Sequence, residues 1–216
     1  MFKTIRLRKL NNKGLSLVEV LVALAITSIV ATIIMSLISS GTGFYKRQSN
    51  SIDLQNELQE TSNKISDALM EATQIEVTDS DGMLVIKTGD FSEENAKVQP
   101  KCIVWVKPYN EKNGAIYVMD TEVPASFDEA AEGYCMSECV EDFSIEIDES
   151  CLKTDESGHV QTDASGNEIY RQPVMFNVSI KVSDNGEEKH DSKTITLRNR
   201  IDKLIYMGNE YNVSSR

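Results

Sequence analysis

The sequence predicts an α+β chain, a long N-terminal helix laid across an antiparallel sheet, and three observations carry that prediction. Residues 15–38 are aliphatic or small with a single charge, residues 51–74 repeat apolar side chains at helical spacing, and beyond residue 75 the apolar period falls to two. The organisation that follows is a basic stretch at 1–14, an apolar helix at 15–40, an amphipathic continuation at 41–77, and a β-rich head at 78–216 with a polar insertion at 148–172.

The first element is set apart by charge. Lys3, Arg6, Arg8, Lys9 and Lys13 make residues 1–14 purely basic; the other 17 basic residues face 34 acidic ones, so the chain beyond Gly14 sums to -17. Such a body repels nucleic acid and anionic lipid, and no direct nucleic-acid partner is expected. The 24 residues of 15–38 carry only Glu19 as a charge. As a helix they reach about 36 Å at about 1.5 Å per residue, enough for a hydrocarbon core of about 30 Å. The positive flank should stay in the cytoplasm, which puts the acidic C-terminal body outside the cytoplasmic membrane.

Glu19 is the informative residue of this segment. A carboxylate inside a span is costly, and intramembrane ionisable groups usually have a partner and a role. A cut after Gly14 would create an ammonium on Leu15, one helical turn from Glu19, on the same or a neighbouring helix. Gly14 itself lets a peptidase approach the backbone and breaks the helix where an extended chain is needed.

The basic leader, Gly14, the hydrophobic Leu15, Glu19 at the fifth position after the Gly, and the aliphatic run to Ile38 together resemble the class III signal of prepilins and pseudopilins. The resemblance implies that prepilin peptidase cleaves after Gly14 and N-methylates Leu15, where the family most often has Phe, and that Glu19 guides subunit packing. It also implies a structural subunit, not an enzyme: a minor pilin or pseudopilin of a pilus, competence or secretion filament. Its partners would be other pilin subunits, the peptidase, an inner-membrane assembly platform and, before assembly, membrane lipid. The competing expectation is an uncleaved, membrane-tethered module whose head captures a ligand. An extracytoplasmic enzyme is a third, and cleavage near Ser39, Ser40 and Gly41 would make the chain an ordinary secreted protein.

The amphipathic helix is read from Leu54, Leu58, Ile65, Ala68, Leu69, Ala72 and Ile75, with Gly41 and Gly43 expected to mark a bend before it. Its apolar stripe is expected to pack on its own domain. Residues 78–82 read as a turn, and strands are expected at 83–86, 102–107, 115–119, 143–147, 174–182 and 193–197. The last two should form a hairpin turning at Asp184, Asn185 and Gly186. The tail from Arg198 to Arg216 looks ill suited to tight, repetitive packing.

Four cysteines, Cys102, Cys135, Cys139 and Cys151, all lie in the part expected outside the cytoplasm, and one or two disulfides are expected of them. A four-thiolate zinc site is the competing reading, although only Cys135 and Cys139 are close in sequence. In the polar insertion, TDESGHV from Thr154 and TDASGNE from Thr162 are near-copies eight residues apart. Their Asp, Ser and Gly residues suit turns; calcium within 154–168 is the alternative, without an EF-hand pattern to support it. No other cofactor is expected. His159 and His190 sit in polar segments, and no catalytic motif can be assembled from the chain.

Overall fold

The computed structural model describes residues 16–80, 82–89, 101–109, 113–120, 127–201 and 203–214. The chain divides into two units, Met1–Asn50 and Ser51–Arg216. One helix, α1 (Leu17–Glu71), has residues in both. It runs through Gly41 and Gly43 with no non-helical residue; both glycines are open to solvent, and the cost of about 1 kcal/mol for glycine in a helix falls short of breaking one this long.

In the second unit, α1 buries Leu54, Leu58, Ile65, Ala68 and Leu69 of the expected stripe, together with Thr61 and Ser62, against a ten-stranded sheet. The helix stops at Glu71 instead of residue 74. Asn199 Nδ2 donates to the Glu71 carbonyl at 2.7 Å and the Arg198 N–H to the Met70 carbonyl at 3.2 Å, satisfying acceptors that the last helical turn leaves open. Ile75, at helical spacing from Ala72, belongs to the first strand, where it alternates with Val77.

The strands are β1 (Gln74–Ser80), β2 (Met83–Thr88), β3 (Lys101–Val106), β4 (Gly114–Met119), β5 (Tyr134–Ile147), β6 (Ile169–Arg171), β7 (Met175–Asp184), β8 (Glu187–Thr196), β9 (Lys203–Tyr206) and β10 (Asn209–Ser214). A short helix α2 (Phe127–Ala130) precedes β5. The sheet order is β6-β10-β9-β1-β2-β3-β4-β5-β7-β8. All pairings are antiparallel except β1 with β9 and β6 with β10. The tail, where the apolar pattern marks no strand, supplies two, and the sheet is mostly, not wholly, antiparallel.

The core lies on the helix side, where Leu84, Ile86, Ile103, Trp105, Ile116, Phe143, Ile145, Phe176, Val178, Ile180 and Leu204 meet α1. Trp105 and Phe143 pack edge to face at 6.0 Å. On the opposite face Met83, Val85, Cys102, Val104 and Met119 form a smaller cluster with Ala130 of α2. That double burial explains the unbroken apolar runs of β2 and β3. The β7–β8 hairpin turns as expected, with positive φ at Asn185 (51°) and Gly186 (82°).

The polar insertion is ordered by backbone hydrogen bonds. Lys153 N–H donates to Ile169 O at 2.8 Å, Ile169 N–H to Gln161 O at 3.0 Å, and Gln161 N–H to Lys153 O at 2.7 Å. These three positions, eight residues apart, close a ring at the base of the two near-copies. Above it, each copy turns on a glycine at positive φ, Gly158 (83°) and Gly166 (87°).

Candidate functional site

The described part of the first unit is helical, and hydroxyls in its apolar run bond back to the helix itself. Thr27 Oγ1, Ser28 Oγ and Thr32 Oγ1 donate to carbonyls four residues back, at 2.5, 2.8 and 2.8 Å. Bonding of this kind hides polar groups from an apolar surrounding. What remains on the surface is aliphatic: Leu17, Leu24, Ile29 and Met35 are each at least 60% exposed. By length and composition this helix can cross a membrane, and among the described residues it is the one that can.

Its start is built by Ser16. The Ser16 hydroxyl accepts the Glu19 N–H at 3.2 Å, the N-cap arrangement that satisfies one of the open donors of a first helical turn. Ser16 and Glu19 have the spacing of a capping box, a signal present in the sequence that an analysis centred on charge passes over. Glu19 thereby sits in the first turn of α1, where a carboxylate is favoured by the helix dipole, and it is the single charge between residues 16 and 45. Gly14 and Leu15, the expected processing pair, lie outside the described residues.

Residues 9–35 match the family model for the prokaryotic N-terminal methylation motif. The chain carries the type IV pilin and pseudopilin signature. The pilin signature spans the expected processing pair, Glu19 and most of the apolar run, and it marks a type IV pilin-like precursor whose apolar helix suits a membrane anchor. No curated protein and no solved structure matches the chain. Everything after residue 35 is thus read from its own geometry.

In the head the cysteines do not come together. All four are free thiols: Cys102 on β3, Cys135 and Cys139 on β5, and Cys151 in a 3-10 turn, Glu149–Cys151. With β4 between them, β3 and β5 are about 9–10 Å apart at about 4.8 Å per strand spacing, beyond the Cα separation of about 7 Å that a disulfide tolerates. Cys102 lies in the cluster facing away from α1 and Cys151 in the one facing it. Cys151 Sγ accepts the Met175 N–H at 3.2 Å and points at the Pro173 carbonyl, 3.7 Å away. Burial pushes every one of the four thiols up, Cys102 and Cys139 to about 11, which favours the neutral form of each.

Asp155 and Asp163 work as turn anchors. Asp155 Oδ1 accepts the N–H groups of Ser157 and His159, and Asp163 Oδ1 those of Ser165 and Asn167, all at 2.8–2.9 Å. The N–H of His159 chiefly, and of Asn167 in the second copy, holds each carboxyl below its usual range. Asp163 Oδ2 also accepts from Asn212 of β10 at 2.9 Å, which ties the second copy to the sheet. Among the described residues no three His, Cys, Asp or Glu side chains are grouped to hold a metal ion. Both histidines are exposed, and His190 Nε2 pairs with Ser179 Oγ at 2.9 Å on the outer surface.

Proposed function

We propose that this chain is a minor pilin or pseudopilin, a structural subunit cleaved after Gly14 by prepilin peptidase and assembled through α1 into an extracytoplasmic filament. The observation that carries this reading is Glu19, a lone carboxylate in the first turn of an otherwise exposed aliphatic helix, inside the matched methylation motif. A helix of this kind is stable in lipid before assembly and among like helices after it. The carboxylate adds a polar address: the ammonium of a mature Leu15, on its own or a neighbouring subunit.

The basic leader supports an orientation with the N-terminus inside and the head outside. Methylation of Leu15 accompanies cleavage in this reading. The head's size, with ten strands and two tandem turns, supports a sparsely placed subunit over one repeated along a filament. Its role is structural: the cysteines are held neutral, and the histidines are spread over its surface.

Intact-mass analysis and N-terminal sequencing of membrane-extracted protein test the proposal. A chain beginning at Leu15, with or without one methyl group, supports it. A chain retaining residues 1–14 would make the protein an uncleaved tether, and a start near Thr42 would make it an ordinary secreted protein.

A further inference from the structure

The head holds a cavity of about 410 Å³ at the foot of the tandem turns, lined by Ser150, Cys151, Lys153, Arg171, Gln172, Pro173, Met175 and Ser214. This volume lies within the usual range for small-ligand sites, about 300–1,000 Å³. Three chain segments build it, 150–153, 171–175 and the one at Ser214, and each is fixed. The ring of backbone bonds holds Lys153. The parallel β6–β10 register sets Arg171 opposite Ser214. Gln172 is clamped at both ends of its amide to Ile201, at 2.9 and 3.3 Å. Cys151 is locked by the Met175 N–H.

Charge makes the cavity unusual for this chain. Lys153 and Arg171 both line it, in a chain with 34 acidic and 22 basic residues, yet no carboxylate does. The ion pairs of the described residues engage Lys64, Lys87, Lys107, Lys181 and Lys193, but neither of these two. Lys153 Nζ donates to Ser214 Oγ at 3.3 Å and Arg171 Nη2 to the Leu152 carbonyl at 3.1 Å, so both heads are positioned by neutral oxygens. Two acids close in sequence have neutral partners: Asp148 accepts from Ser150 N–H and Asn177, and Glu168 from Tyr170. An arginine fork and a lysine ammonium over a floor of Pro173, Met175 and the Cys151 thiol make a receptor for one negative charge with apolar atoms attached.

We propose that this cavity binds a carboxylate, with Arg171 and Lys153 as its two cationic contacts and the Pro173–Met175 side taking the carbon atoms behind it. An acidic peptide side chain and a small free acid share this chemistry. Blocked aspartate, N-acetyl-Asp-N-methylamide, stands for the first and acetate for the second. The inference does not depend on the pilin reading.

The test is a titration of detergent-solubilised full-length protein, followed by the methyl resonance of 13C-labelled Met175. A saturable shift is expected with blocked aspartate or acetate, the tighter of the two naming the source, and none with the neutral N-acetylasparagine-N-methylamide. Arg171→Gln and Lys153→Gln should each weaken the carboxylate about tenfold or more, and the unchanged methyl spectrum of the other methionines shows that each variant is folded. Equal shifts from carboxylate and amide, unchanged affinity in both variants, tighter saturation by inorganic phosphate, or no saturable shift with either acid would each overturn the proposal.

Discussion

The Ser62 hydroxyl donates to the Asp191 carboxylate at 2.6 Å, joining the buried face of α1 to the edge strand β8 across 129 positions of sequence. Burial of Asp191 acts to raise its pKa, but the Ser62 hydrogen bond and Lys193, 3.2 Å away, outweigh it and hold the carboxyl below its usual range. A depressed carboxylate contributes stability above its unfolded value, near 3.8, and loses it as the pH falls through the lower folded value. Ser62→Ala should cost about 1 kcal/mol at neutral pH. Thermal melts between neutrality and strong acid should show a smaller acid-side loss for Asp191→Asn than for the wild type; parallel curves would remove Asp191 from the account.

Ser16→Ala removes the acceptor for the Glu19 N–H, a cap worth about 1 kcal/mol. Faster amide exchange over the first helical turn in micelles, with the middle of the apolar run unchanged, is the expected result. Glu19→Gln keeps a side chain of the same shape without its charge. It should leave leader removal intact and lower incorporation into filaments severalfold or more, as read by mass and by shear-fraction immunoblot. Normal incorporation would sink the assembly role given to Glu19.

The four thiols should be intact and slow to react. Alkylation in denaturant without reductant should add four labels, while the native head near neutral pH labels far more slowly. An intact mass lower by one or two pairs of hydrogens would instead establish disulfides. For Cys102 the folded value of about 11 exceeds the ordinary 9.0, so the stability from burying a neutral thiol is complete below 9. It falls as the pH rises from there to about 11, because the unfolded chain ionises first. Cys102→Ala should flatten that alkaline decline.

The aspartates of the two near-copies differ in what they hold beyond their own turns, and their variants should differ accordingly. Asp163→Ala removes the turn anchor and the tie to Asn212, while Asp155→Ala removes a turn anchor and the exposed His159 contact. Limited proteolysis should cut the Asp163 variant faster, within 154–168 and in β10. Equal rates would show that the Asn212 contact does not secure the sheet edge.

Much of this fold could be read from apolar spacing. The stripe from Leu54 to Ala72, the β2 and β3 runs, and the Asn185–Gly186 turn are local signals, and each formed as expected. The misses have physical causes. β8 carries Glu187, Lys189, Asp191 and Lys193 along an edge, so only Ile195 is buried and its alternation is hidden. β5 begins with Tyr134–Cys139, whose register is broken by bulges against β4. β9 and β10 are short, and what makes them strands is pairing with β1 and β6, far away in sequence. At the N-terminus Glu19 was legible as a charge out of place; its cap on Ser16 was legible too, but as spacing. The cavity between Lys153 and Arg171 was not, because the parallel β6–β10 pairing that shapes it joins segments far apart in sequence and leaves no periodic trace.

The parallel pairing of β1 with β9 also orders events in time. The strand leaving α1 has β2 on one side, available within a few residues of synthesis, and on the other a partner at 203–206. A chain emerging N-terminus first can zip β1 to β5, β7 and β8 while one flank of β1 stays open, and this vulnerable interval lasts until residues 203–206 have arrived. Loss of residues 203–214 should therefore be felt less as a missing tail than as a head that never finishes closing.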